Sequence, residues 1–259
     1  MSDPINRRTA LGLAGGAALL AAGAAAKAQP APADDPKPGA PAKKTQVTML
    51  LYPGTTVLDW IGPYEALHRV EGIEVVLAGK TTDLMKSDSG IVDYKANVAI
   101  DQIERTDVLL VPGGAQGLMV AANDPVIANW VRKIDATSTY TVGICTGSLL
   151  LAQIGLLKGR RATTYWKFPT MIEGAGGTFV QERWVRDGKY WTSAGVSAGI
   201  DLTLALIADL YGPQQAMMAQ LAIEYDPHPP FNSGSVKTAP QAVIDALGGI
   251  MPPHTHAHG

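Results

Sequence analysis

The 259-residue chain has one cysteine, Cys145. No intramolecular disulfide can form, so stability has to come from packing. Histidine is scarce as well. Of five histidines, His254, His256 and His258 lie in a C-terminal run, leaving His68 and His228 for the body. A cysteine–histidine hydrolase needs an imidazole beside its thiol. His68 reads as a helix-surface residue and His228 sits in a proline-rich segment, so that class is disfavoured. The terminal histidines read as a flexible tail, to which no metal site is assigned. Neither sign of charge dominates, with 21 basic and 23 acidic residues, and no basic stripe suggests nucleic acid. Beyond the N-terminal segment, no apolar run is long enough to span a bilayer.

Residues 1–28 read as an export signal. Arg7-Arg8 precede an alanine- and glycine-rich stretch over 10–26, and Ala26-Lys27-Ala28 is a small-x-small cleavage site. Paired arginines before a weakly hydrophobic core resemble a twin-arginine signal, which carries folded proteins. The expectation is a periplasmic protein with no stable membrane association once the signal is cleaved. Residues 29–45, rich in Pro, Ala and Lys, read as a disordered linker. One α/β domain over 46–240 follows, then a tail over 241–259.

Within the body, short apolar runs alternate with helical patterns. Strands are expected at 47–52, 73–78, 108–111 and 140–144, and helices at 58–70 and 124–135. Asp124-Pro125 is a helix start, with Asp at the cap and Pro in the first turn. Asp187-Gly188 between 184–186 and 190–192 signals a hairpin. A long apolar helix over 197–211, capped by Ser197, is broken by Gly212-Pro213, and a further helix runs to about 225. Buried strands alternating with helices argue for a mainly parallel sheet covered on both faces.

Cys145 falls where a strand runs into a helix, with Gly143 and Gly147 two residues away on either side. A nucleophile on such a strand-to-helix elbow needs small neighbours, because the tight turn lifts its side chain above the sheet edge. Free N–H groups and the positive dipole end of the next helix favour thiolate over thiol. A small buried hydrophobe is the alternative. The glycine spacing points to the reactive thiol.

Ligands of open parallel sheets bind beyond the carboxyl ends of the strands. Three loops converge there: 53–62, Pro112-Gly113-Gly114, and the Cys145 turn. Asp59 in the first loop either caps the helix that follows or shares a proton with the thiol as an acid/base. Thr146 either starts a helix or donates a hydrogen bond to substrate. Gly113 and Gly114 make a tight turn and can bring backbone N–H groups close to developing charge.

Several motifs then resemble the ThiJ/PfpI superfamily, a branch of the class I glutamine amidotransferase-like fold. They are Leu58-Asp59-x-x-Gly62-Pro63, Val111-Pro112-Gly113-Gly114, Cys145-Thr146-Gly147-Ser148-Leu149 and Ala198-Gly199-Ile200-Asp201. The segment Glu224-Tyr225-x-Pro227-x-Pro229-Pro230-Phe231-Asn232 narrows the resemblance to the isonitrile hydratases. It implies a flavodoxin-like three-layer α/β sandwich, a homodimer and a cofactor-free site. By position, Cys145 would be the nucleophile, Asp59 the acid/base and Thr146 the supporting hydroxyl. The implied reaction is hydration of R–N≡C, a small electrophile, to an N-substituted formamide. A glyoxalase- or deglycase-like activity, or a redox-sensing or ligand-binding role, is the alternative. Where those hydratases carry histidine before tryptophan, this chain has Tyr165-Trp166, which would line a substrate pocket of different shape and polarity.

Overall fold

The computed structural model describes residues 44–250. β1 (Thr45–Leu51) leads through α1 (Val57–Leu67) to β2 (Ile73–Gly79). Three two-residue strands follow, β3 (Met85–Lys86), β4 (Asp93–Tyr94) and β5 (Val98–Ala99). β6 (Val108–Val111) precedes α2 (Gln116–Asn123) and α3 (Pro125–Asp135). β7 (Tyr140–Gly143) precedes α4 (Gly147–Gln153). Next come β8 (Arg161–Ala162), α5 (Pro169–Gly174) and β9 (Thr178–Phe179). The hairpin of β10 (Trp184–Asp187) and β11 (Tyr190–Ser193) is followed by α6 (Ala198–Tyr211), α7 (Pro213–Ala222) and α8 (Gln241–Ala246).

Seven strands form one sheet in the order β10-β11-β7-β6-β1-β2-β5. All neighbours pair in parallel except β10 with β11. Successive residues of a strand point to opposite faces, and here both faces are dry. Leu50, Leu109 and Val111 face a cluster built with α2, α3, α4 and α5. Val47, Met49, Leu51, Val108 and Leu110 face a second cluster with α1, α6 and α7. That is why these strands read as unbroken apolar runs. Each fully buried Leu or Ile contributes about 1.5–3 kcal/mol of transfer free energy. The result is the three-layer, flavodoxin-like sandwich expected from the sequence.

Several sequence expectations meet the structure closely. Asp124 caps α3, its Oδ1 accepting from the Val126 N–H at 2.9 Å. Gly188 takes φ 60° in the hairpin turn, a conformation open to glycine without a Cβ penalty. Other details differ. In α1 the buried side runs through Asp59, Trp60, Gly62, Pro63, Ala66 and Leu67, whereas Ile61 and Tyr64 are half-buried. Gly62 sets this face, since a Cβ there would lie 2.9 Å from Ile200 Cγ1 of α6. Ser197 precedes α6 but makes no capping bond; its hydroxyl instead accepts from Arg183 at 3.4 Å. The stretch from 241, expected as a tail, carries α8, and the Lys167 ammonium donates to the Leu247 carbonyl after it. The signal, most of the linker and the terminal histidines lie outside the described residues.

Asp124→Ala should lower stability by about 1 kcal/mol, the usual worth of an N-cap. The Lys80 ion pair it also removes, at 2.6 Å, is exposed enough to add little. Urea denaturation monitored by circular dichroism measures the loss, and labelling of Cys145 under native conditions should be unchanged.

Candidate active site

Val142 and Gly143 of β7 are buried among β6 and β11, and the chain leaves the sheet at Ile144, whose N–H donates to the Val111 carbonyl at 2.9 Å. Cys145 follows at φ 56°, a region that non-glycine residues occupy only when the surroundings hold them there. They do so through its carbonyl, which accepts from the Ser148 hydroxyl at 2.8 Å and the Thr164 hydroxyl at 3.0 Å. The flanking glycines have a steric cause. A Cβ on Gly147 would stand 2.0 Å from the Val111 carbonyl oxygen, and one on Gly143 would stand 2.8 Å from Ser148 Cα. No side chain fits at either place unless the backbone shifts.

Asp59 approaches from the other side. It lies inside α1, whose N-cap position is Thr56, so its carboxylate does not cap the helix. It is completely buried. Oδ2 accepts from the Gly113 N–H at 2.9 Å, and Oδ1 has no hydrogen-bond partner among the described residues. The carboxyl and the Cys145 thiol lie close enough to shift each other's titration. Burial pushes Asp59 up from the ordinary carboxylate range to about 7, against the opposing pull of the Gly113 N–H and the thiol, with the Asp88 charge adding to the rise.

The sulfur behaves unlike the sequence expectation of a stabilised thiolate. Burial pushes its pKa upward, and the neighbouring Asp59 charge adds to the rise. The N–H groups of Val196 and Thr146 oppose this without offsetting it. α4 has only seven residues, so its dipole is small beside the cost of burying an anion. The resting pair is therefore a neutral thiol beside a carboxyl that gains or loses its proton near neutrality.

The other expected donors are already engaged. The Gly113 N–H serves Asp59, and the Gly114 N–H donates to Thr146 Oγ1 at 3.1 Å. Thr146 thus ties the glycine turn to the cysteine turn, its hydroxyl also donating to the Gly114 carbonyl at 3.4 Å. A Cβ on Gly113 would lie 2.6 Å from both Asp59 Oδ2 and Thr146 Oγ1. The three converging loops are locked by these bonds, with Thr56 N–H donating to the Gly113 carbonyl at 3.0 Å and an antiparallel bridge between Thr55 and Gly114.

Tyr165 and Trp166 line a cavity of about 410 Å³ whose wall includes Thr164, Arg183, Gly195 and Val196. Cys145, only 5 % exposed, does not line it. Thr164, which bonds the Cys145 carbonyl, and Val196, whose N–H bears on the thiol, both border the cavity, so the cysteine adjoins that wall. The Tyr165 ring fills the space over Gly195, with Cδ2 2.5 Å from a Cβ built there. Val196 holds φ 41°, a strained state for a β-branched residue. Its part in the site was not foreseen, because nothing in the sequence marks a valine whose backbone N–H faces sulfur. His68 is exposed and pairs with Glu65 at 3.2 Å, as expected of a surface residue. Among the described residues no group of three or more His, Cys, Asp or Glu side chains is placed to hold a metal ion.

A family model described as the DJ-1/PfpI family matches residues 45–209. The chain is 39 % identical over 200 residues to isonitrile hydratase of Pseudomonas putida, covering 77 % of this chain and 87 % of that protein. It is 33 % identical over 176 residues to the HTH-type transcriptional regulator CdhR of Pseudomonas aeruginosa, covering 65 % of this chain and about half, 51 %, of the regulator. Among solved structures, a THiJ/PfpI family protein from Pseudomonas syringae superposes with TM-score 0.77 at 36 % identity, over 83 % of this chain and 92 % of that one.

Two measurements test this geometry. Gly147→Ala should cost about 3 kcal/mol or more, because its methyl group would overlap backbone, and denaturant unfolding measures it. Asp59→Asn should do the reverse. The folded state binds the Asp59 proton more tightly than the unfolded chain does, so the contribution of this one group is full at acid pH and is lost as pH rises through about 7. The variant should therefore be more stable than wild type by a few kcal/mol at pH 8, a margin that disappears toward pH 4.

Proposed function

The chain belongs to the DJ-1/PfpI family, and we propose that within it this protein hydrates isonitriles to N-substituted formamides. One observation carries the reading: a buried carboxyl that titrates near 7 faces the sole thiol. An isonitrile carbon becomes a good electrophile only on protonation, and the pair offers a proton first and a nucleophile second. The 39 % identity to a named isonitrile hydratase, extending over 87 % of that protein, supports the same reading.

In the proposed cycle Asp59 begins protonated and gives its proton to the terminal carbon of R–N≡C. Sulfur bonds to that carbon as the thiol proton passes to the Asp59 carboxylate, leaving a thioimidate, R–N=CH–S. Asp59 then protonates nitrogen while water adds to carbon, and the carboxylate takes the proton that water loses. In the last step the C–S bond breaks, the hydroxyl proton returns to sulfur through Asp59, and R–NH–CHO departs. One water is consumed, and thiol and carboxyl regain their resting forms. Because the thiol does not rest as an anion, its proton leaves only as the S–C bond forms, and Asp59 acts as both acid and base. Thr146 holds the two turns in register. Tyr165 and Trp166 border the cavity that would receive the R group. Arg7-Arg8 and the apolar stretch after them support placing the reaction in the periplasm.

Purified protein incubated with a simple isonitrile should yield the formamide, read by chromatography, with methylglyoxal as the substrate for the competing glyoxalase reading. Cys145→Ala and Asp59→Asn should each lower the hydration rate by about two orders of magnitude or more. Full activity in Asp59→Asn overturns the mechanism. The acid form of Asp59 is present below its pKa of about 7 and lost above it. Hence kcat/KM should fall as pH rises past neutrality, as stopped assays from pH 5 to 9 would show.

A further inference from the structure

We propose that Tyr52 is a positioning residue for Asp59, acting through the single peptide unit that joins Pro112 to Gly113. Tyr52 is the first residue after β1 and is buried. Its hydroxyl donates to the Pro112 carbonyl at 2.7 Å. That carbonyl and the Gly113 N–H are opposite ends of one amide, and the N–H donates to Asp59 Oδ2 at 2.9 Å. A donor on the oxygen of an amide polarises it and makes its N–H a stronger donor, by about 10–30 % per bond. The chain Tyr52 O–H to Pro112 carbonyl to Gly113 N–H to Asp59 therefore both aims the carboxyl and favours its ionised form.

The tyrosine is itself held in place. Its N–H donates to Thr55 Oγ1 at 3.2 Å, and its carbonyl accepts from Thr55 Oγ1 at 2.6 Å and from the Tyr94 hydroxyl at 2.7 Å. Its phenol stays un-ionised, held far above the usual range first by burial and then by the Asp59 charge, with Cys145, Tyr94 and Asp88 adding. The titratable groups that bear on Asp59 are the Cys145 thiol after β7, through a hydrogen bond, and the Asp88 carboxylate after β3, through its charge, while the un-ionised Tyr52 phenol lies just after β1. The substitutions below change neither Cys145 nor Asp88.

The inference rests on the reading of Asp59 as the acid of the site, but its test does not require an isonitrile. Alkylation of Cys145 by iodoacetamide, followed from pH 5 to 10 by intact mass, should show an inflection near 7 where Asp59 titrates. In Tyr52→Phe the Gly113 N–H becomes a weaker donor, the carboxylate loses support, and the inflection should move up by about half a pH unit. Hydration kcat should fall about tenfold with KM within twofold, as expected when a proton-transfer group is misaligned. A tyrosine that only fills space would lower the melting temperature and leave the inflection in place, and that result overturns the proposal. If Tyr52→Phe does not fold, 3-fluorotyrosine at position 52 keeps the ring and strengthens the donor, so the inflection must move down; an unmoved inflection refutes the idea equally. A wild-type protein with no inflection near neutrality sinks both this inference and the acid role of Asp59. An inflection without formamide production sinks only the isonitrile reading.

Discussion

Placing a carboxyl and a thiol together out of water is the constraint around which the site is arranged. Each group alone would resist ionisation in that setting, and together they resist it more, since two adjacent anions are costlier than one. The surroundings answer with backbone rather than with countercharge. Among the described residues, no Lys, Arg or His is a leading cause of either group's shift; the favourable contacts include N–H groups of Gly113, Thr146 and Val196. Backbone donors are fixed in place and carry no proton of their own to lose, so they trim the shifts without removing them.

That choice explains why so much of the neighbouring chain is inflexible. Bringing the Gly113 amide onto Asp59 leaves room for no Cβ at 113, and seating the cysteine turn under Val111 leaves none at 147. Cys145 and Val196 both sit at positive φ. Such conformations cost roughly 1–3 kcal/mol each and persist only where the surroundings over-determine them. Hydroxyls do much of the determining: Ser148 and Thr164 on the Cys145 carbonyl, Thr146 on Gly114, Tyr52 on Pro112. Each makes a hydrogen bond and adds no charge, which keeps the pair from being driven to a single protonation state.

The scaffold was largely readable in the sequence, because each cue was local. Apolar runs marked the strands of a sheet covered on both faces, Asp124-Pro125 marked a helix start, and Asp187-Gly188 marked a hairpin. The glycines around Cys145 were read correctly as a demand for space. What sequence could not supply was the direction of the electrostatics. A helix start after the cysteine argued for a thiolate, yet the sulfur's depth and the carboxyl beside it decide the matter, and both belong to the tertiary fold. The same holds for Gly113 and Gly114, whose N–H groups are engaged by Asp59 and Thr146, residues 54 and 32 positions away. Tyr52 and Val196 carried no pattern at all, since a buried tyrosine and a loop valine are ordinary until their neighbours are known.

A buried pair whose strongest favourable contacts are backbone N–H groups rather than cations suits chemistry that begins with a proton. A thiol paired with imidazole rests largely as an anion, ready to attack a carbonyl but also open to oxidation and to stray electrophiles. Here the thiol rests neutral beside the wall that holds Thr164 and Val196, and in the proposed cycle its nucleophilicity is released only as Asp59 accepts its proton. An isonitrile fits that order of events because its carbon accepts a proton before it accepts sulfur. Tyr165, its ring packed over Gly195, adds bulk to the cavity wall without adding a cation that would hold Asp59 ionised.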